Sequence, residues 1–208
     1  MSPLLIAIAG PSGSGKSLLT RGLLNALSKS HSALNIAVVP EDAYYHSQAH
    51  LSLEQRAELN FDHPAALDHA LLRADLTKLK NRQPADIPQY DYANHTRRST
   101  AQPLAPADLI IVEGCLLLTQ DELCAAMTLR VFVQANLETC LKRRIARDTV
   151  ERGRTRESVE QQFETTVRPM YHAFLAPSAQ HADLLIDGEA DPEAAIAATL
   201  EKLLPLLS

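Results

Sequence analysis

The fold class can be inferred from fourteen residues, Leu4-Leu5-Ile6-Ala7-Ile8-Ala9-Gly10-Pro11-Ser12-Gly13-Ser14-Gly15-Lys16-Ser17. The first six are apolar, as in a buried strand, and the last eight fit the pattern G-x-x-x-x-G-K-[ST] in full. A helical spacing of leucines follows directly. Strand, glycine-rich loop and helix in this order predict a loop whose N–H groups surround phosphate oxygens. The stretch predicts a nucleoside triphosphate site; a Gly/Ser turn that matches by chance is the alternative.

Individual side chains of this loop suit different parts of a triphosphate. The Lys16 ammonium can reach the β- and γ-phosphates, and the Ser17 hydroxyl can bind Mg²⁺. The N-terminal end of the following helix adds a positive partial charge. The predicted nucleotide-binding residues are Gly10, Ser12, Gly13, Ser14, Gly15, Lys16, Ser17 and Leu18.

Length, composition and charge narrow the class of protein. The chain has 208 residues, of which 46% are hydrophobic and 22% charged, and we expect one domain over 1–208. A net charge of -5 argues against a general nucleic-acid binder. Without a signal peptide or an apolar run of about 20 residues, we expect a cytoplasmic protein without a membrane partner. The cysteines at 115, 124 and 140 lack metal-ligand spacing, so we interpret them as inert thiols.

Short apolar runs alternate with helical patterns along the chain, which predicts a parallel α/β sheet flanked by helices. The predicted strands are 4–9, 36–40, 109–113, 129–133 and 183–187, and the predicted helices are 16–28, 51–59, 64–80, 137–150, 157–175 and 192–203. The segment 85–98 has two prolines and a Tyr-Asp-Tyr cluster but no helical period. We interpret it as a hairpin that projects from the sheet.

Two acids stand where predicted strands end, and ligands of open α/β sheets bind beyond the carboxyl ends of strands. Asp42 follows the strand 36–40, and Glu113 ends the strand 109–113. Asp42 could accept the proton of a substrate hydroxyl or hold Mg²⁺, and Glu113 could orient Mg²⁺ through water. The alternatives are a solvated loop acid at 42 and a simple strand terminus at 113.

Six arginines cluster around a predicted helix break at Gly153: Arg143, Arg144, Arg147, Arg152, Arg154 and Arg156. A guanidinium group matches phosphate oxygens with its planar fork, and Gly153 could act as a pivot. This predicts an arginine-rich lid over 144–162. A solvated basic helix face is the alternative.

Several motifs together resemble the uridine kinase (uridine–cytidine kinase) family of P-loop kinases, in the family's order and spacing. They are 10–17, Glu41-Asp42-Ala43-Tyr44-Tyr45, Asn60-Phe61-Asp62-His63-Pro64, Pro88-Gln89-Tyr90-Asp91-Tyr92-Ala93-Asn94-His95-Thr96-Arg97, Val112-Glu113-Gly114 and 144–154. They span the chain to about residue 187. Two positions depart from the family pattern: Gln89, where an apolar residue is common, and Asp187-Gly188, where the family often has Pro-Arg-Gly.

The resemblance implies ATP-dependent phosphorylation of the 5′-hydroxyl of uridine or cytidine. It makes Asp42 the catalytic base, with Arg147 and Arg152 on the phosphates, and it puts Ser17 and Glu113 at Mg²⁺. We expect Lys16 to stabilise the transferred charge as well, and Asp42 to join Glu113 around Mg²⁺. The implied nucleoside-binding residues are Tyr45, Asp62, Tyr90, Tyr92, His95, Arg144, Arg154 and Gln162. These residue types suit the substrate, because a ribose diol needs an acceptor such as Asp62 and a flat pyrimidine needs aromatic faces.

Other functions stay open at this point. A relative such as phosphoribulokinase or pantothenate kinase would share the loop with another acceptor, and a nucleotide-binding regulator would have lost phosphoryl transfer. The donor could be ATP or GTP. The resemblance also implies a homotetramer and feedback by CTP.

Overall fold

The computed structural model describes residues 2–207, which form a five-stranded sheet, a two-stranded sheet and flanking helices. The strands are β1 Leu4–Ala9, β2 Ile36–Pro40, β3 Ala85–Asp91, β4 Thr96–Leu104, β5 Leu109–Glu113, β6 Leu129–Gln134 and β7 Leu184–Asp187. The helices are α1 Lys16–Ser30, α2 Leu53–Ala57, α3 His69–Lys80, α4 Asp121–Ala126, α5 Leu137–Glu151, α6 Arg156–Gln162, α7 Arg168–Met170, α8 Ala176–Ser178 and α9 Pro192–Leu203.

The five-stranded sheet is parallel, in the order β2-β5-β1-β6-β7, which confirms the predicted α/β class. Side chains alternate along β1: Leu5, Ala7 and Ala9 belong to the core on the α3 side, while Ile6 and Ile8 pack with the leucines of α1. Because β1, β2 and β5 are adjacent, Glu113 pairs with Ile8 on one side and with Pro40 on the other. The segments that follow these strands therefore meet at one sheet edge.

The prediction of a single helix over 64–80 is wrong at its start. Residues Pro64–Ala66 form a separate 3₁₀ turn, and α3 begins only at His69. The Asp68 carboxylate accepts a hydrogen bond from the Leu71 amide and caps the helix. An N-cap aspartate outweighs the first-turn preference of Pro64, because it satisfies an amide that has no partner within the helix.

The predicted hairpin is present but longer than 85–98, since β4 continues to Leu104. Asp91 shapes its turn: Oδ1 accepts hydrogen bonds from the amides of Ala93 and Asn94, and Oδ2 accepts one from Asn94 Nδ2. Such local bonds explain why the chain reverses here rather than continuing as a strand.

The helix break that the sequence predicts within the lid is present. Gly153 has a φ of 62° between α5 and α6, a conformation that favours glycine. Beyond α6 the chain stays helical but widens into π turns over Phe163–Val167 and Tyr171–Leu175. Pro169 and Pro177 each follow a π turn, which lets the helix accommodate a ring that would clash with a preceding carbonyl.

Candidate active site

The loop over 10–17 curls closely around the N-terminus of α1. Gly10 has a φ of 139°, and a Cβ added there would lie 2.2 Å from the Val133 carbonyl oxygen of β6. Gly13 has a φ of 88° and would meet the Cys140 carbonyl oxygen at 2.6 Å. Both positions require glycine, because backbone occupies the space a side chain would need. The loop therefore packs tightly between β1, β6 and α5.

The Lys16 side chain is buried beneath the loop. Its ammonium donates hydrogen bonds to the carbonyl oxygens of Gly10 at 2.9 Å and Pro11 at 3.0 Å, and it lies 3.5 Å from Cys115 Sγ. Burial raises the pKa of the Cys115 thiol to about 11, although the Lys16 charge opposes the shift, so this cysteine stays protonated at neutral pH. A positive charge is held at the base of the loop.

Ser17 and Glu113 meet at the other side of the loop. The Ser17 hydroxyl donates a hydrogen bond to Glu113 Oε1, across elements that lie 96 residues apart in the chain. Within residues 2–207, no three histidine, cysteine or acidic side chains converge as a metal-binding group. A hydroxyl and nearby carboxylates fit Mg²⁺, which keeps several waters and takes further oxygens from substrate phosphates.

Asp42 lies in the 3₁₀ turn Glu41–Tyr44 after β2, half-buried at the edge of the sheet. Burial raises the pKa of its carboxyl above the usual value of 3.8, and the negative charge of Glu41 raises it further, while Lys16 and Arg152 oppose the shift. Oδ2 accepts a hydrogen bond from the Tyr92 hydroxyl at 3.4 Å. A carboxylate with a raised pKa is better suited to accept a proton than an ordinary one.

Two cavities meet at Asp42. A cleft of about 600 Å³ runs along the loop, and a chamber of about 210 Å³ lies beneath the hairpin. The residues that line both are Ser12, Asp42, Tyr92, Cys115, Arg147 and Arg152. All eight side chains that the sequence suggested for the nucleoside line the chamber: Tyr45, Asp62, Tyr90, Tyr92, His95, Arg144, Arg154 and Gln162.

Aromatic rings form the walls of this chamber. Tyr45 contacts Phe61 with ring centroids 5.2 Å apart and Tyr90 at 5.1 Å, and His95 stacks on Phe61 at 5.7 Å with 22° between the planes. Tyr92 packs edge-on against Tyr90 at 5.3 Å. Among the residues that the structure describes, the buried Tyr90 hydroxyl has no hydrogen-bond partner. Flat aromatic walls with a free polar group suit an aromatic ligand.

The polar end of the chamber carries one acid and a guanidinium pair. Burial raises the pKa of Asp62, while the nearby Arg144 charge opposes that shift. Arg144 Nη2 and Arg154 Nη1 both donate to Gln162 Oε1, at 2.9 Å and 2.6 Å. Gln162 thus links α5, the segment after Gly153 and α6 across the lid.

The predicted nucleotide-binding residues do not all line the cleft. Gly10 and Ser14 do not line the cleft, and the Ser14 side chain is fully buried. Leu18 does line it and is 49% exposed. Gln89 accepts a hydrogen bond from Thr100 Oγ1 within the hairpin.

Four further residues of the site were not among the predicted site residues. They are Phe61 and Cys115, which line the chamber, and Arg97 and Arg143, which fasten backbone around it. Arg143 Nη1 donates to the carbonyl oxygens of Gly13, Ser14 and Gly188, joining the loop to the end of β7. Each lies within or beside a motif quoted above, so proximity to a motif was the available signal.

The phosphate loop, the strand-end acids and the arginine lid define a P-loop kinase. A sequence model of the phosphoribulokinase / uridine kinase family matches residues 5–194, and the chain belongs to this family. It is 47% identical over 183 residues to a uridine kinase of Shewanella frigidimarina and 45% identical to a uridine kinase of Vibrio campbellii, covering 88% of this chain and 86% of each relative.

Solved structures share the fold at lower identity. A structure from Silicibacter sp. TM1040, assigned as a fructose transport system kinase, superposes with a TM-score of 0.71 at 24% identity, covering 88% of this chain and 89% of that one. A D-glycerate 3-kinase from Cryptococcus neoformans gives 0.62 at 22% identity, covering 83% and 79%. Over residues 2–207, every helix is too short or too polar to cross a membrane.

Proposed function

We propose that this protein transfers the γ-phosphoryl group of ATP to the 5′-hydroxyl of uridine or cytidine, giving ADP and UMP or CMP. The observation that carries the proposal is that Asp42 lines both the phosphate cleft and the aromatic chamber. A base at that junction can serve a hydroxyl bound in the chamber and face a phosphate bound in the cleft. Relatives named uridine kinase, at 45–47% identity, support the nucleoside as acceptor.

The proposed transfer is an in-line displacement. The 5′-oxygen forms a bond to the γ-phosphorus, its proton passes to an Asp42 carboxylate oxygen, and the bond to the β–γ bridging oxygen breaks to release ADP. Lys16, Arg147 and Arg152 stabilise the charge on the moving group. The hydrogen bond that Arg147 Nη2 donates to Ser12 Oγ, at 3.4 Å, shows that the lid already reaches the loop.

Ser17, Asp42 and Glu113 would hold Mg²⁺ together with phosphate oxygens and water. When bound, the ion would neutralise charge on the β- and γ-phosphates. The protein's own contribution is to keep the Ser17 hydroxyl and the Glu113 carboxylate in contact at the end of β5.

The chamber favours a nucleoside over the acceptors of other family members. Ribulose 5-phosphate and pantothenate have no aromatic ring, whereas Tyr45, Phe61, Tyr90 and His95 enclose the chamber with ring faces and edges. We assign the base to these rings and the ribose hydroxyls to Asp62, because an ionised carboxylate can accept from both hydroxyls of a diol.

An ADP-release assay with a panel of acceptors tests the function. Uridine and cytidine should give turnover with ATP, and pantothenate or ribulose 5-phosphate should not. Asp42→Ala should abolish turnover while ATP still binds, whereas the matched control Asp86→Ala, an exposed acid of the hairpin, should behave as wild type. Turnover with only a non-nucleoside acceptor, or near-wild-type activity of Asp42→Ala, would overturn the proposal.

Finer features are part of the same proposal. GTP is the alternative donor, a cytoplasmic location is part of the proposal, and a homotetramer with CTP feedback comes from the family resemblance. Sedimentation velocity and inhibition of uridine turnover by CTP measure the assembly and the feedback directly.

A further inference from the structure

One acid of the lid is surrounded by arginines and touches neither cavity. Asp148 in α5 is fully buried, and the guanidinium groups of Arg144, Arg147, Arg152 and Arg154 all lie within 3.7 Å of its carboxylate. It lines neither the cleft nor the chamber. Its backbone carbonyl also accepts hydrogen bonds from the amides of Arg152 and Arg154. Any effect of Asp148 on a substrate must therefore pass through these arginines.

The two carboxylate oxygens serve different arginines. Oδ1 lies 2.8 Å from Arg147 Nε and 3.6 Å from Arg152 Nη1, and both of these arginines line the phosphate cleft as well as the chamber. Oδ2 lies 3.6 Å from Arg144 Nε and 3.7 Å from Arg154 Nη1, both of which line only the nucleoside chamber. Oδ1 thus contacts the arginines that reach the phosphate cleft, and Oδ2 contacts arginines of the nucleoside chamber alone.

The charges around Asp148 are unbalanced. One carboxylate faces four guanidinium groups, and in residues 2–207 none of these four forms an ion pair with another acid. Among the same residues, Oδ2 has no hydrogen-bond partner, because its contacts are long. Oδ2 can therefore accept closer contacts from Arg144 and Arg154 when Arg147 and Arg152 hold the carboxylate less tightly.

We propose that Asp148 is a positioning residue that couples the donor and acceptor sites through the arginines on its two carboxylate oxygens. When triphosphate oxygens engage Arg147 and Arg152, the carboxylate is released toward Arg144 and Arg154 and holds them against Gln162. Donor binding then tightens nucleoside binding, and by reciprocity the nucleoside tightens donor binding by the same factor. This inference rests on the proposed function for the identity of the two ligands.

The coupling is measured by calorimetry of uridine, alone and with saturating adenylyl imidodiphosphate. In the wild-type protein the analogue should lower the uridine Kd about fivefold or more, as is typical of coupled sites. Asp148→Asn keeps the size of the side chain but loses the charge and one oxygen. In this variant the analogue should lower the uridine Kd by less than about twofold, and this ratio of Kd values is the coupling factor. A merely structural role would weaken binding of each ligand but leave the factor unchanged.

A matched control is available on the same lid. Glu160→Gln removes the exposed ion pair with Arg156, also a carboxylate–arginine pair in the lid, and should keep the wild-type factor. Should Asp148→Asn fail to fold, Arg152→Lys tests the same link, because lysine keeps the charge but not the fork, and the factor should fall as well.

The outcomes separate this inference from the proposed function. The role of Asp148 alone would be overturned if the wild-type protein phosphorylates uridine but shows no coupling. It would also be overturned if Asp148→Asn keeps the full wild-type change in uridine Kd, or if a folded Arg152→Lys protein does so where Asp148→Asn fails to fold. A protein that neither binds nor phosphorylates any nucleoside would overturn the proposed function and, with it, this inference.

Discussion

Replacing Gly114 with alanine would displace a buried carboxylate beside the proposed catalytic base. A Cβ added to Gly114, directly after β5, would lie 2.1 Å from Glu41 Oε2 and 2.3 Å from Glu41 Cβ. Glu41 is fully buried; it shares a hydrogen bond with His69 Nε2 at 2.8 Å and accepts one from the Leu116 amide at 2.8 Å. The new methyl group can be accommodated only if Glu41 leaves these partners or the backbone moves.

The size of the effect follows from these contacts. Overpacking costs about 1–3 kcal/mol, and losing one hydrogen bond to a charged group costs about 1.5–3 kcal/mol, so the two together come to about 4 kcal/mol. For a chain of this length each kcal/mol lowers Tm by about 2–4 °C, which predicts a fall of about 8–16 °C. Gly114 has no positive φ, so the loss comes from the contact and not from the backbone conformation.

Gly22 provides the matched control, since its added Cβ would meet Ile196 Cδ1 at a similar 2.2 Å. That atom is the end of a flexible side chain, and alanine is favoured over glycine within a helix by about 1 kcal/mol, so Gly22→Ala should leave the free energy of unfolding within about 1 kcal/mol of wild type. Thermal and urea unfolding of both variants measure the difference. Equal Tm values for the two variants would refute the view that Glu41 is held in place.

Four further substitutions test the nucleoside chamber and the turn that carries Asp42. Asp62→Asn should lower kcat/KM for uridine about a hundredfold but affect 2′-deoxyuridine less, because it weakens acceptance from the diol; an equal loss for both would contradict the ribose assignment. His95→Ala should raise KM for uridine about tenfold and leave KM for ATP within about twofold. Because burial and Arg154 lower the pKa of His95 below 6.5, the unfolded chain takes up this proton first, and stability falls as the pH drops below about 6.5. His95→Gln should flatten that part of the unfolding free energy against pH in urea titrations, and an unchanged slope would exclude His95 as its source. Arg97 donates to two backbone carbonyls of the turn that carries Asp42, so Arg97→Met should cost about 2 kcal/mol in urea unfolding, against no loss for the exposed Arg21→Met.

The sheet was predictable because its strands are short apolar runs, of which β1, β5 and β6 are largely buried. The strands 4–9, 36–40 and 109–113 have the predicted bounds, and β6 and β7 differ by one residue. Helix starts were less predictable, because a cap depends on one side chain. Asp68 moved the start of α3 away from Pro64, and the short helix α4 has too few residues to show a clear period.

Site residues that belong to a sequence motif could be predicted. Site residues that only the fold brings together could not. Glycines and a lysine at fixed spacing reveal a phosphate loop, and an acid at a strand end reveals its place at the sheet edge. Phe61 was hidden because a single aromatic residue in a loop has no period, although its ring contacts Tyr45 and stacks with His95. Contacts between a loop and a hairpin cannot be deduced from either segment alone.

Asp148 illustrates the same limit most clearly. In the sequence it is one acid in a basic helix, and its spacing to Arg144 suggests an ordinary i,i+4 pair on a solvated face. Arg152 at the end of α5 is a second i,i+4 partner, and the turn at Gly153 brings Arg154 back to the same carboxylate, which is fully buried. A helix period predicts contacts within one straight helix, whereas the contact of Arg154 depends on how the chain turns between α5 and α6. The lid arginines are thus oriented by a residue that touches neither cavity, and substitutions at Asp148 should alter both sites together although neither site contains it.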